Sequence, residues 1–152
     1  MDAYRRSLLK AVGAATALAA AGMVPLRALA AMSRPEKAFE ATDPQGAMTA
    51  LGDSAAESDQ IELETPDIAE NGAVVPISVT SKLPKTTRIS VLVEKNPNPM
   101  SAMFMIPEGT EPFIQTRVKV AETGNIYALV EADGKLYKAS SQTKVTLGGC
   151  GG

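Results

Sequence analysis

Val75-Pro76-Ile77-Ser78-Val79-Thr80 decides the fold, because apolar residues occupy every second position with Pro, Ser and Thr between them. Successive side chains of a strand point to opposite faces, so a period of two describes a strand with one buried face. The same period recurs downstream. Ile89, Val91 and Val93 alternate with Ser90, Leu92 and Glu94, and Ile114, Thr116, Val118 and Val120 alternate with Gln115, Arg117 and Lys119. Asn71-Gly72 and Asp133-Gly134 are hairpin dipeptides that tolerate the positive φ of a two-residue turn. Asn96-Pro97-Asn98-Pro99 and Pro107-Glu108-Gly109 also break the chain. About seven short strands at roughly ten-residue spacing predict an all-β fold, an immunoglobulin-like antiparallel sandwich. Aromatic residues make up 4% of the chain and Trp is absent, so Val, Ile, Leu, Ala and Met must fill the core.

Helical character precedes the strands. Ser33 is the expected N-cap of a first helix with Pro35 in its first turn, and Asp43-Pro44 opens a second that runs from Gln45 to Leu51 and stops at Gly52. The polar stretch from Asp53 to Asp59 reads as a loop. Residues 1–30 read as a cleaved export signal. Arg5-Arg6 stands ahead of a mildly apolar, Ala-rich run, and Ala28 and Ala30 supply the small residues of a cleavage site after Ala30. The apolar run is shorter than the roughly 20 residues of a membrane span. The expected division is therefore a twin-arginine signal over 1–30, a β domain over 31–147 and a short arm over 148–152, in a periplasmic protein.

Without the leader, eleven Lys and Arg face sixteen Asp and Glu, a net charge of −5. No basic stripe remains to attract nucleic acid or a membrane surface. The chain has one Cys and no His. Ser-His-Asp and Cys-His catalysis within the chain are thereby excluded, and no resident metal or cofactor is expected. A single thiol in an oxidising compartment is either reactive or joined to another chain.

Met100-Ser101-Ala102-Met103-Phe104-Met105-Ile106 is apolar on both faces of a strand. Either the N-terminal helical segment covers its outer side, or Met100, Met103, Phe104 and Met105 form a partner interface. The last strand is expected from Leu136 to Leu147, with Tyr137, Ala139, Val145 and Leu147 on one face, and Asp133-Gly134 pins its start.

Five residues follow: Gly148-Gly149-Cys150-Gly151-Gly152. Glycine has the greatest backbone freedom of any residue and no side chain to obstruct a narrow cleft. Such a pentapeptide is a flexible arm that reaches about 17 Å when extended and presents one thiol. That thiol has no built-in activator. A free Cys titrates near 8.5, so only about a few per cent is thiolate at neutral pH. The nearest cation in sequence is Lys144, six positions before Cys150. Activation is therefore expected from a partner's active site, and the chain itself is a carrier rather than an enzyme.

With Arg5-Arg6, Asp67-Ile68-Ala69-Glu70-Asn71-Gly72, Asn96-Pro97-Asn98-Pro99, Ala132-Asp133-Gly134-Lys135 and the terminal Gly148-Gly149-Cys150-Gly151-Gly152, the sequence resembles the SoxY family, sulfur carriers of periplasmic thiosulfate oxidation. The resemblance covers essentially the whole chain after the leader. It implies a heterodimer with a SoxZ-like subunit and covalent attachment of substrate at Cys150, held as a Cys-S-sulfonate adduct and its successors. It further implies transient encounters with a SoxAX-like haem enzyme, a SoxB-like dimanganese hydrolase and, in some organisms, a SoxCD-like enzyme.

Other readings stand beside it. Gly151-Gly152 also matches the end of ubiquitin-like donors that carry a terminal thiocarboxylate. Cys150 could join the domain to another chain as a structural module, and Glu62 and Glu64 share one strand face as a hydrolase's carboxylate pair would.

Overall fold

The computed structural model describes residues 34–52 and 54–146. The leader with Arg5 and Arg6, the expected cap Ser33, Leu147 and the arm with Gly148, Gly149, Cys150, Gly151 and Gly152 lie outside the described residues. Two helices come first, α1 (Glu36–Glu40) and α2 (Pro44–Leu51). The strands are β1 (Ala56–Glu57), β2 (Ile61–Glu64), β3 (Ile68–Ala69), β4 (Val75–Ser81), β5 (Thr86–Val93), β6 (Met100–Met105), β7 (Phe113–Val118), β8 (Gly124–Ala132) and β9 (Lys135–Val145). Seven of these have four or more residues, the number the alternation predicts; β1 and β3 have two each.

The strands form two sheets. One runs β1-β9-β8-β5-β6 with β3 also on β9, and the other runs β2-β4-β7. The ladders are antiparallel except where β1 and β3 run parallel to β9. The sandwich core lies between the sheets. Val75, Ile77, Val79, Ile114 and Val118 of the small sheet meet Ile89, Val91, Val93, Ile126, Ala128 and Val130 of the large one. Each fully buried Val or Ile contributes about 1.5–3 kcal/mol by leaving water, which makes this layer the main source of stability.

The large sheet departs from the one-buried-face expectation. In β5 both Ser90 and Leu92 are buried together with Ile89, Val91 and Val93. The cause is a second core on the outer face, where Ala38, Ala47 and Met48 of the helices pack on Leu92, Met100, Leu129 and Leu136. A strand covered on both sides needs a near-continuous apolar run, which Ile89-Ser90-Val91-Leu92-Val93 supplies.

Local chemistry explains the helices. The Asp43 carboxylate accepts a hydrogen bond from the Gly46 N–H at 2.8 Å, and Pro44 occupies the first helical position. In α1 the N-cap position is Pro35, not Ser33, and no side chain caps it. A residue that precedes proline is driven to extended backbone, so the helix cannot start before Pro35. Asn98 donates to the carbonyls of Glu40 and Ala41 at the end of α1, at 3.5 and 3.3 Å. Arg88 donates to the Leu51 carbonyl at the end of α2 (3.3 Å) and pairs with Glu131 at 2.5 Å.

The expected loop before β2 contains β1, which lies beside Tyr137 and Lys138. The Asp133-Gly134 hairpin is as expected: both residues have positive φ, and Ala132 faces Lys135 directly. Asn71-Gly72 is not a hairpin. Asn71 instead caps its own turn by accepting the Ala73 N–H at 2.9 Å, and β3 ahead of it pairs with β9 rather than with β4. No helix among the described residues is long and apolar enough to cross a membrane.

Candidate functional site: the root of the cysteine arm

The arm itself lies outside the described residues, but the last described residues show how it is rooted. β9 carries Tyr137, Ala139 and Val145 against the sandwich core, as the sequence predicts. Its ladder with β8 ends where Gly124 faces Thr143. Beyond that point the chain is held by separate pieces. On one side the Thr123 hydroxyl accepts the Val145 N–H at 2.9 Å. On the other, β3 pairs Ile68 with Lys144 and Ala69 with Val145. The Lys144 N–H donates to the Asp67 carbonyl at 2.9 Å, and the Thr146 N–H to the Ala69 carbonyl at 3.2 Å.

Under this root, the Thr65 and Thr143 hydroxyls share a 2.7 Å hydrogen bond, with Thr143 fully buried. The turn after β3 is fixed in its own right, because Val120 donates its N–H to the Gly72 carbonyl at 2.7 Å. The turn that bears Thr123 is fixed through Glu94, whose carboxylate accepts the Asn125 N–H at 3.0 Å. That hydrogen bond, helped by Lys95 at 3.4 Å, holds the Glu94 carboxyl below its ordinary pKa, with partial burial opposing.

Thr146 is the last of the described residues, and Cys150 follows four positions later. Four extended residues span about 14 Å, which bounds how far the sulfur can stand from Thr146.

Two depressions lie elsewhere on the domain. One, about 410 Å³, is lined by Leu51, Gly52, Glu131, Lys135 and Leu136. It sits at the far end of β9, roughly 30 Å from Thr146 at the usual rise per strand residue, beyond the sulfur's reach. The other, about 320 Å³, is open and lies along Thr65, Pro66 and Ser78. It presents the Glu64 carboxylate, which repels an anionic group.

The remaining sequence-predicted residues divide clearly. Met100 is buried in the outer core, and Met103 packs against that core. Phe104 packs on the sandwich core, whereas Met105 remains 51% exposed on the edge strand β6. Helical cover therefore accounts for the outer side at Met100 and Met103. Glu62 pairs with Lys82, and Glu64 accepts the Ser78 hydroxyl at 2.7 Å. Both carboxylates are exposed and separately engaged. Among the described residues no cluster of His, Cys, Asp and Glu could hold a metal ion. Sequence reasoning missed Thr65, Thr123, Thr143 and the β3 pairing, all of which depend on contacts distant in the chain.

The model of the sulfur oxidation protein SoxY matches residues 47–150, and the matched stretch ends on Cys150. The chain belongs to the SoxY family. Among solved structures, this SoxY-family chain is similar to the sulfur carrier protein SoxY from Chlorobium limicola f thiosulfatophilum. The two are 39% identical over 66% of this chain and 94% of that one, with a TM-score of 0.60. The superoxide reductase (neelaredoxin) from Ignicoccus hospitalis is 16% identical over 60% of this chain and 95% of that one, with a TM-score of 0.53, and shares the fold alone. No curated protein matches the chain.

Family membership gives the SoxY-like motifs of the body a physical reading. Asp67 to Gly72 fastens the root, Asn98 holds the end of α1, and Asp133-Gly134 turns β8 into β9. Asn96 ties its loop to the segment that leaves β7, donating to the Lys119 carbonyl at 2.8 Å and accepting the Ala121 N–H at 3.0 Å.

Proposed function

We propose that this chain is the sulfur carrier of a thiosulfate-oxidising system, holding substrate covalently on Cys150 while partner enzymes act on it. Its role is that of a substrate-bearing subunit, not of a catalyst. The observation that carries this reading is the SoxY-family match ending on the chain's single cysteine, five residues beyond the end of a strand fastened on both sides.

The chemistry follows from the thiol. The Cys150 sulfur forms a bond to the outer sulfur of thiosulfate, the thiol proton is released, and an electron pair passes to a SoxAX-like haem enzyme. Water then cleaves the bond between sulfur and sulfonate at a SoxB-like hydrolase, which releases sulfate and protons and leaves one sulfur on Cys150. A SoxCD-like enzyme, where present, oxidises that remaining sulfur before a second hydrolysis. Covalent tethering keeps the intermediate from diffusing between these steps, at an effective concentration in the ~mM range for a short linker. Gly148, Gly149, Gly151 and Gly152 leave the backbone around the sulfur thin enough for a cleft.

The test is intact-mass analysis of the protein with and without thiosulfate and the coupling enzyme. A mass gain of one S2O3 unit, removed by reductant and lost in Cys150→Ala, is expected. A modification of the C-terminal carboxyl that survives Cys150→Ala would establish the thiocarboxylate donor instead. A stoichiometric covalent dimer on non-reducing electrophoresis, unaffected by thiosulfate, would establish a structural disulfide.

The carrier is exported to the periplasm through Arg5 and Arg6 as a heterodimer with a SoxZ-like subunit that lacks its own leader. The free edge of β6, with Met105 exposed, is the candidate contact for that subunit. Lys at both positions 5 and 6 should leave both subunits in the cytoplasm; a partner still found in the periplasm would refute joint export.

A further inference from the structure

We propose that the segment from Ile68 to Val74, beside the root of the arm, is a docking ledge for the enzymes that take the sulfur of Cys150. The proposal rests on the carrier reading above. Its argument is one of reach. An enzyme acting on that sulfur must bring its reacting groups within about 14 Å of Thr146, so the entrance of its active site has to meet the surface around that residue.

That surface is unusual for the domain. Of the four large hydrophobic residues that stand exposed among the described residues, Ile68 (59%) and Val74 (51%) both belong to this one short segment. Neither exposed side chain serves the fold. Ala69 is the β3 residue that enters the core, and Val75 is the one that continues it. The root is fastened through backbone groups of Asp67 and Ala69, which any side chain at position 68 would leave in place.

Charge completes the description of the partner. Asp67, Glu70 and Glu122 are exposed about the root, against Lys144 opposite Ile68 and Lys119 next to Val120, which bonds Gly72. The complementary surface is an apolar rim with Lys or Arg around it, at the mouth of a cleft narrow enough for a glycine strand.

The test uses the full-length carrier in complex with its partner subunit, added to extract from cells that lack this chain, with thiosulfate-dependent reduction of an electron acceptor as the readout. For Ile68→Asp and Val74→Asp the carrier concentration at half-maximal rate should rise ~tenfold, the scale of losing an interface anchor, while the maximal rate holds. Phe113→Asp, exposed on the edge strand of the other sheet, should titrate like the wild type. Ile68→Thr, which keeps the β-branch that β3 favours, should shift in the same direction and carries the test if the Asp variant unfolds.

Wild-type titration by the Ile68 and Val74 variants, or an equal shift in Phe113→Asp, would overturn the ledge. So would a change in Cys150 reactivity toward a small disulfide reagent, which would mean that the chain's own arm covers Ile68. A change in solution mass would give the site to a second copy of the complex and overturn the proposal equally. The two failures are distinguishable. If Cys150→Ala still supports turnover, the carrier reading itself falls; if it does not, while Ile68→Asp titrates normally, only the ledge falls.

Discussion

The two ends of β9 are held in opposite ways. Its start is local: Asp133 and Gly134 take positive φ, and the chain turns straight back from β8. Its end is assembled from distant pieces, with Thr123 on one side and Asp67 to Ala69 on the other. The turn at the first needs only two residues with the right backbone freedom, and β1 then lies beside Tyr137 and Lys138 just after it. The second needs a folded sandwich to bring three segments together. The difference has a functional meaning, because the end that the whole domain secures is the one from which Cys150 extends.

The sharpest way to separate the two roles of β9 is at the sulfur. Cys150→Ser should reduce thiosulfate loading to background while leaving the melting temperature of the domain unchanged, by intact mass and thermal denaturation respectively. Each end of β9 is held, among the described residues, by groups other than the sulfur. A lowered melting temperature would show that Cys150 belongs to the body.

A core substitution should abolish the contrast altogether. Ile126 is fully buried between the sheets. Ile126→Ala should cost about 2–5 kcal/mol through lost burial and the cavity left behind. Both ends of β9 should then open together in amide exchange, because β8 supports both. Unequal opening would mean that the hairpin end survives without the sandwich.

Milder changes should act on one end at a time. Gly134 has φ 73, where a side chain is strained, so Gly134→Ala should cost about 1–2 kcal/mol and speed exchange near Lys135. Thr123→Val keeps the shape but removes the acceptor of the Val145 N–H, at a cost of about 1 kcal/mol. Faster exchange should then be confined to Val145 and Thr146. A response at Lys135 instead would contradict the separate fastening of the two ends.

The same contrast governs what could be read in advance. Alternation at Val75 to Thr80 and at Ile114 to Val120 was sufficient for the sandwich, because strand periodicity is a local property. Asp43-Pro44 and Asp133-Gly134 were legible for the same reason. The Asn71-Gly72 dipeptide misled, because a turn signal does not say which strand the preceding residues join. β3, with only two residues, has no period to detect, and its parallel partner lies some seventy-six positions along the chain. The apolar outer face of β5 was visible as residues, but its cover depended on where α1 and α2 came to rest. Cys150 stands out from composition alone as the chain's single thiol. The threonines that secure its root do not, since Thr65, Thr123 and Thr143 look like any polar strand or loop residue until the sheets bring them together.

The smallest effect expected at the root is a pH dependence through Glu94. Its carboxylate accepts the Asn125 N–H and lies near Lys95, so its pKa in the folded protein is below the ordinary value. The unfolded chain therefore binds this proton more readily. The stabilisation is fully present above the ordinary carboxylate range and is lost as pH falls through the depressed folded value. Glu94→Gln keeps an oxygen to accept from Asn125 but removes the titration. In denaturant unfolding, the wild type should exceed Glu94→Gln by a constant margin at neutral pH, and the margin should shrink on the acid side. Because Asn125 lies two residues from Thr123, the exchange of Val145 should quicken in the wild type over that same acid window and stay flat in Glu94→Gln. A margin independent of pH would mean that the Asn125 hydrogen bond does not distinguish the two protonation states, and that the turn bearing Thr123 is held by its backbone alone.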